Sequence, residues 1–258
     1  MVRDGSSEPT YDDWAPYWDA IDVDRGPMLT FYRSLIDERT ASLIDLACGT
    51  GTMTIPLARE LRQYHPFGRV GGIDRSPQML RMAREHDATI DWVVGDMRAP
   101  PVAGLFDGAV CTFNVLQELQ SDEDLYRAFA AVRRLLSPGG FYAFDIYQPN
   151  LEWLNAVHHD HLSRIGTDRQ GRTLEVREDK HYDPASKIVT LDWRLHRTGR
   201  TREPPLARLR HRVRQFFPSD VERLLDAAGL AIRQRYGDFD KTSFAARSKK
   251  QILVCSPR

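Results

Sequence analysis

Cysteine is scarce in this 258-residue chain, which holds only Cys48, Cys111 and Cys255. An odd number, at spacings unlike those of metal sites, argues against a disulfide scaffold. No apolar run approaches the ~18 residues of a membrane-crossing helix, so no membrane partner is expected. An excess of either charge is missing too, since Lys+Arg and Asp+Glu both total 36. Nothing global therefore recommends nucleic acid or an anionic bilayer as partner. The opening MVRDGSSEPT lacks the apolar segment of a signal peptide and reads as a disordered lead-in over 1–10. Together these absences lead us to expect a soluble protein of a reducing compartment, cytoplasmic, monomeric or homodimeric.

What is present is ordinary in amount and uneven in arrangement. Hydrophobic residues make up 41% of the chain, enough for one large domain or one domain with an elaboration. Residues 1–45 hold four basic and ten acidic residues, whereas 161–215 hold fourteen basic and seven acidic. From Ser42 onward, strand-like runs at 42–46, 69–73, 91–95, 106–111 and 140–146 alternate with helical runs at 52–62, 76–86 and 121–136. Ser121 followed by Asp124 resembles a capping box, and "SPGG" at 137–140 ends that helix. Such alternation favours a parallel sheet covered by helices. After Asn150 the period changes to two. "TLEVREDKHY", "IVTLDWRLH" and "LARLRHRVRQF" predict about three antiparallel strands inserted into the α/β domain. A helix at 218–228, capped by Gly229, and strands at 230–236 and 250–255 then resume it. The expected division is a helical flap over 1–40, an α/β domain over 41–150 and 216–258, and a β insertion over 151–215.

The informative stretch is "LIDLACGTGT", residues 43–52. A buried strand ends in Asp45 and runs into Gly49-Thr50-Gly51, which suggests backbone brought against a ligand at a helix start. The third glycine of G-x-G-x-x-G is missing, so the turn alone is weak evidence. Acids at neighbouring strand ends strengthen it: Asp74 closes the second strand, and Asp96 follows the third in "VVGDMR", beside Met97. Phe113 and Asn114 stand at the end of the fourth. These strand ends meet on the ligand-binding edge of an α/β sheet. Asp45 would repel a pyrophosphate, which argues against a dinucleotide, whereas a cation would suit it.

In order along the chain, "LIDLACGTGT", "GIDRSPQML", "VVGDMR", "FDGAVCTFNVLQEL" and "LLSPGGFYAFDIY" resemble the five motifs of class I S-adenosylmethionine-dependent methyltransferases. The resemblance covers roughly 11–148 and 216–256. It implies a doubly wound, Rossmann-like seven-stranded sheet with an antiparallel last strand, and S-adenosyl-L-methionine as cofactor. It further implies that Gly49 and Gly51 lie against the methionine portion with Asp45 at its amino group. Asp74 would hold the ribose, and Asp96 the adenine amine with Met97 on the ring. Ala47, Arg75, Met79 and Phe113 would complete the cofactor's surroundings. "YDDWAPYWD" resembles a flap that closes over the cofactor through Tyr11 and Trp18, with Trp18 where relatives carry a tyrosine. The insertion and "HRVRQFFPSDVERLLDAAGL" resemble small-molecule N-methyltransferases, including those acting on amino sugars. The implied activity is methyl transfer to a small-molecule acceptor, at nitrogen. Another use of the same cofactor, such as cyclisation or lyase chemistry, and cofactor binding without catalysis are the alternatives.

Tyr147 and His211 are the candidate catalytic side chains, with His181 also weighed. His211 shares a strand face with Ala207, Leu209 and Val213, where it serves either as a base or as a packed core residue. The opposite face carries Arg208, Arg210, Arg212 and Arg214. It either grips an anionic acceptor or is a solvated face paired with Glu175, Asp179 and Asp192. His158 and His161, read as one helical turn apart, are either metal ligands or polar surface, and no metal is expected. Trp193 and the aromatics of 11–18 are either core or cleft wall.

Overall fold

The computed structural model describes residues 10–21 and 24–258. The lead-in expected over 1–10 lies outside these residues, except for Thr10. The chain begins with α1 (Tyr11–Trp18) and α2 (Gly26–Arg33). Next come β1 (Ser42–Leu46), α3 (Thr54–Tyr64), β2 (Arg69–Asp74), α4 (Pro77–His86), β3 (Asp91–Val94) and β4 (Phe106–Cys111). A 3₁₀ turn (Val115–Glu118) leads into α5 (Asp122–Leu135) and β5 (Leu136–Tyr147). After α6 (Leu151–Asn155) come β6 (His158–Thr167), β7 (Thr173–Asp183), β8 (Ile188–Arg197) and β9 (Ala207–Arg214). The chain closes with α7 (Pro218–Ala227), β10 (Leu230–Tyr236) and β11 (Lys250–Pro257).

Seven strands form one sheet in the order β10-β11-β5-β4-β1-β2-β3, with β11 antiparallel to both of its neighbours. The inner strands are apolar nearly throughout because helices cover both faces. Local chemistry starts the helices where they begin. The Ser76 hydroxyl accepts the Met79 N–H (3.1 Å) ahead of Pro77, and the Ser121 hydroxyl accepts the Asp124 N–H (3.0 Å). Acids at Asp122, Glu123 and Asp124 and bases at Arg133 and Arg134 match the dipole of α5. Leu125, Phe129 and Val132 then bury its apolar stripe against the sheet. Since β1, β2 and β4 are parallel, their carboxyl ends open onto one edge.

Two elements differ from expectation. β5 starts at Leu136, which pairs with Phe106, so "SPGG" is a bulged strand opening with a register shift and not only a helix stop. The insertion has four strands, in the order β6-β7-β8-β9. β6 escaped the period-two pattern because register shifts break it between His158 and His161 and again between Leu162 and Arg164. His158 and His161 therefore lie on a strand, not a helical turn, and His158 is committed to Glu178 at 2.9 Å.

The small sheet has a core of its own. Leu174, Val176, Val189, Leu191, Trp193, Leu195 and Leu209 pack there with Trp14, Ile21 and Leu154. Trp14 and Trp193 are thus core, 5.7 Å apart between ring centroids. On the other face Arg210 meets Asp192 (2.7 Å), Arg177 meets Glu175 (3.0 Å), and Arg194 meets Asp179. Arg214 instead turns to Asp122 (2.9 Å) and the carbonyls of Gln120 and Ser186, tying β9 to the start of α5. Of the four arginines on β9, Arg210 and Arg214 are thus paired into the scaffold, while Arg208 and Arg212 are exposed.

The flap joins the small sheet through backbone. Ile21 bridges Gly166, and the Thr167 N–H donates to the Ala20 carbonyl (2.9 Å). A Cβ at Gly166 would sit 1.9 Å from that carbonyl oxygen, so only glycine allows the approach. Gly166→Ala is expected to destabilise the protein by about 1–3 kcal/mol. Urea unfolding should show this as a lowered midpoint, and an unchanged midpoint would mean that the flap packs independently of the sheet.

Candidate active site

Asp45 ends β1 almost wholly buried, at 1% exposure. The Thr54 hydroxyl donates to its Oδ2 (2.6 Å), while Oδ1 has no partner among the described residues. Burial pushes this carboxyl up to about 7, with the charge of Asp74 acting the same way against the Thr54 hydrogen bond. Asp74 is itself raised by burial, with Glu118 contributing. It accepts the Gly49 N–H at Oδ2 and the Ser76 N–H at Oδ1, both at 2.8 Å. Each oxygen keeps a lone pair, so the backbone orients the carboxylate without using it up.

The turn that brings Gly49 to Asp74 is wound left-handed. Ala47 (φ +60°), Gly49 (φ +56°) and Gly51 (φ +81°) all occupy that region, and Ala47 does so at the usual cost of about 1–2 kcal/mol for an L-residue. The two glycines differ in what they face. A Cβ at Gly49 would meet only the Trp18 Nε1, at 4.0 Å, whereas one at Gly51 would strike Trp92 at 2.7 Å and Ile55 at 3.2 Å. Gly49 thus opens toward the cleft, and Gly51 is demanded by packing.

Helix α1 roofs this edge and is pinned by three hydrogen bonds, two in its first turn and one at its C-cap. The Ser76 hydroxyl donates to Asp12 (2.5 Å), the Thr50 hydroxyl to Asp19 (2.5 Å), and the Tyr11 hydroxyl to Glu118 (2.6 Å). Burial, then the Glu118 charge and hydrogen bond, hold the Tyr11 phenol well above its ordinary value. Trp18 stands edge-on to Tyr11 at 5.6 Å, and both pack against Met79, Met82 and Ala15. His211 reaches the same place from β9. Its Nε2 lies 3.3 Å from Glu118 Oε1, out of line for a hydrogen bond, and neither ring nitrogen has a hydrogen-bond partner among the described residues. Trp193 holds the His211 ring edge-on at 5.1 Å.

The remaining candidates fall outside this cluster in different ways. Asp96 is clasped by the Arg98 guanidinium (2.6 and 3.0 Å) and backbone N–H (2.9 Å), which holds its carboxyl below the usual range. Little of it is left for a further donor. Met97 is buried in the core beneath, and Arg75 is exposed. Tyr147 is 53% exposed at the end of β5, its ring 4.3 Å from the Lys250 Nζ. His181, on β7, is exposed. Sequence reading missed Glu118, although the stretch that carries it was singled out. It also missed Asp12 and Asp19 as flap anchors, where only the density of acids gave a signal.

Residues 43–140, which hold β1 through the start of β5, match the family model described as a methyltransferase domain. This segment is similar to methyltransferase domains. A putative methyltransferase, YqeM, of Bacillus subtilis (strain 168) is 30% identical over 145 residues, 55% of this chain and 50% of that protein. The dTDP-3-amino-3,4,6-trideoxy-alpha-D-glucopyranose N,N-dimethyltransferase of Streptomyces venezuelae is 36% identical over 111 residues, 41% of this chain and 44% of that protein. The chain thus spans about half the length of these curated relatives. The structure of the CcbJ methyltransferase from Streptomyces caelestis superposes with a TM-score of 0.76, covering 97% of this chain and 99% of that one at 22% identity. That likeness extends the shared fold beyond this segment to the flap and the small sheet.

Two outcomes follow from the geometry of this segment. Gly49→Ala should weaken S-adenosylmethionine binding while the fold loses no more than the ~1–2 kcal/mol of a left-handed alanine. Gly51→Ala should act chiefly on stability, through Trp92. Titration calorimetry and urea unfolding of both variants check this, and the opposite pattern would overturn the assignment. Asp45, with a folded pKa of about 7 against ~3.9 unfolded, contributes stability below pH ~4 that is lost as pH rises through 7. Asp45→Asn should therefore melt higher than wild type at pH 8. A cationic ligand needs the ionised form, so wild-type affinity should rise up to tenfold per pH unit until about 7 and then level off. Flat affinity between pH 5 and 8 would remove Asp45 from the site.

Proposed function

We propose that this chain transfers a methyl group from S-adenosylmethionine to the nitrogen of a small-molecule acceptor. The observation that carries the reading is the unpaired Asp45 Oδ1, buried at the end of β1 in a cleft that also gathers Asp74 and Glu118. Carboxylates gathered in one place suit a ligand bearing positive charge, and S-adenosylmethionine has an ammonium and a sulfonium. Asp45 would take the ammonium, the backbone at Gly49 would pass beside the methionine portion, and the oriented Asp74 would accept from the ribose. When bound, the cofactor supplies an electrophilic methyl group that needs no further activation.

The protein's own part is to align the acceptor, exclude water and remove a proton. An amine arrives largely as ammonium, and its lone pair is free only after that proton leaves. Glu118 is the carboxylate under the flap, fixed by the Tyr11 hydroxyl at 2.6 Å. In this reading it attracts the ammonium and accepts the proton, with His211 Nε2 standing 3.3 Å away. Trp18, Trp193 and Tyr11 keep bulk water from the reacting atoms. The small-sheet cover and the amino-sugar relative support an acceptor of that size, an amino sugar among the candidates.

Glu118→Gln should lower kcat about 10²-fold or more, the usual worth of a positioned base. Tyr11→Phe should lose less, and cofactor affinity should change little in either. Screening amines, amino sugars included, for S-adenosylhomocysteine release supplies the assay. Wild-type-like kcat in Glu118→Gln would exclude it as the base. Cofactor consumption without a methylated product would exclude methyl transfer.

A further inference from the structure

Beyond the groups that face the cleft, one buried network has no part in the chemistry above. Asp145, on β5, is 0% exposed. Its Oδ1 accepts the Tyr32 hydroxyl (2.9 Å) and the Phe113 N–H (3.1 Å), and its Oδ2 accepts Lys250 Nζ (2.8 Å). Lys250, on β11, donates also to the Asn114 Oδ1 (2.7 Å). Phe113 (φ +63°) and Asn114 (φ +59°) are consecutive non-glycine residues in the left-handed region, at the point where β4 ends. Such a pair persists only where its surroundings over-determine it.

A buried ion pair seldom stabilises a fold more than apolar residues of the same size would. Its placement is more telling than its energy. Both partners grip the strained turn, Asp145 by the Phe113 backbone and Lys250 by the Asn114 side chain. The turn leads directly into Val115–Glu118. There Gln117 Oε1 accepts the Tyr147 N–H (2.9 Å) and Gln117 Nε2 donates to the Arg214 carbonyl (3.2 Å), so the far end is fastened as well. A segment held at both ends carries Phe113, whose ring the Arg25 guanidinium faces at 5.8 Å, and brings Glu118 to the flap.

We propose that Lys250 and Asp145 are a positioning pair, which holds the left-handed Phe113–Asn114 turn so that Phe113 and Glu118 stand where cofactor and acceptor need them. The proposal rests on the methyl-transfer reading for Glu118, but its effect on Phe113 can be read by cofactor binding alone. Lys250→Met keeps the length of the side chain and removes the grip on Asn114. It should weaken S-adenosylhomocysteine binding about tenfold and lower kcat more than it raises KM. Asn114→Gly placed in that background should restore most of both losses, because glycine adopts a positive φ unaided. Asp145→Asn with Lys250→Met leaves no unpaired buried charge, so its urea midpoint should lie above that of Lys250→Met. The same double variant should stay weak in binding, which separates positioning from stability. Wild-type affinity in Lys250→Met would overturn the proposal. So would a loss that Asn114→Gly does not lessen, or a recovery of affinity that simply follows the urea midpoint. A wild type that binds S-adenosylhomocysteine yet methylates no amine would instead remove the methyl-transfer reading, with the pair still judged by affinity.

Discussion

A carboxylate buried with one oxygen unpaired is the constraint around which this structure is arranged. Asp45 can be held there only because Thr54 satisfies its other oxygen and because a proton or a cation can satisfy the first. Asp74 and Glu118 add to the same negative field, and neither has a lysine or arginine directly on it among the described residues. Asp96 and Asp145, by contrast, are matched by Arg98 and Lys250. Unmatched acids therefore face the cleft, and matched acids build its walls.

Backbone strain follows the same geography. Ala47, Phe113 and Asn114 sit in left-handed conformations at the ends of β1 and β4, beside the glycine turn. Each turn is fastened by a carboxylate that accepts backbone N–H groups: Asp74 from Gly49 and Ser76, Asp145 from Phe113. Rigid strands end there, and the turns are locked by side chains from neighbouring strands. The precision of the site comes from the sheet and not from the loops themselves.

The sequence showed much of this, unevenly. Strand–helix alternation, the five motifs and the period-two runs were enough for the seven-stranded sheet and for an antiparallel insertion. β6 was hidden because its register shifts and exposed edge position erase alternation. Gly49 and Gly51 looked equivalent in sequence and are not, since the difference is Trp92, which packs against one of them from another strand. Glu118 was legible as a residue but not as a partner, because Tyr11 and His211 reach it from 107 residues before and from the far side of the insertion. Long-range convergence of this kind leaves no local pattern. Arg214 was misjudged for the same reason, its fate being set by Asp122 on α5.

The contact of Ala20 and Ile21 with Gly166 and Thr167 makes the roof helix and the small sheet continuous through hydrogen-bonded backbone. Trp14 buried against Trp193 gives that seam a shared core. Helix and sheet are consequently one roof over the Asp45–Glu118 edge. Lifting the helix from Thr50 and Ser76 drags on the sheet that carries His211, and shifting the sheet drags on the helix.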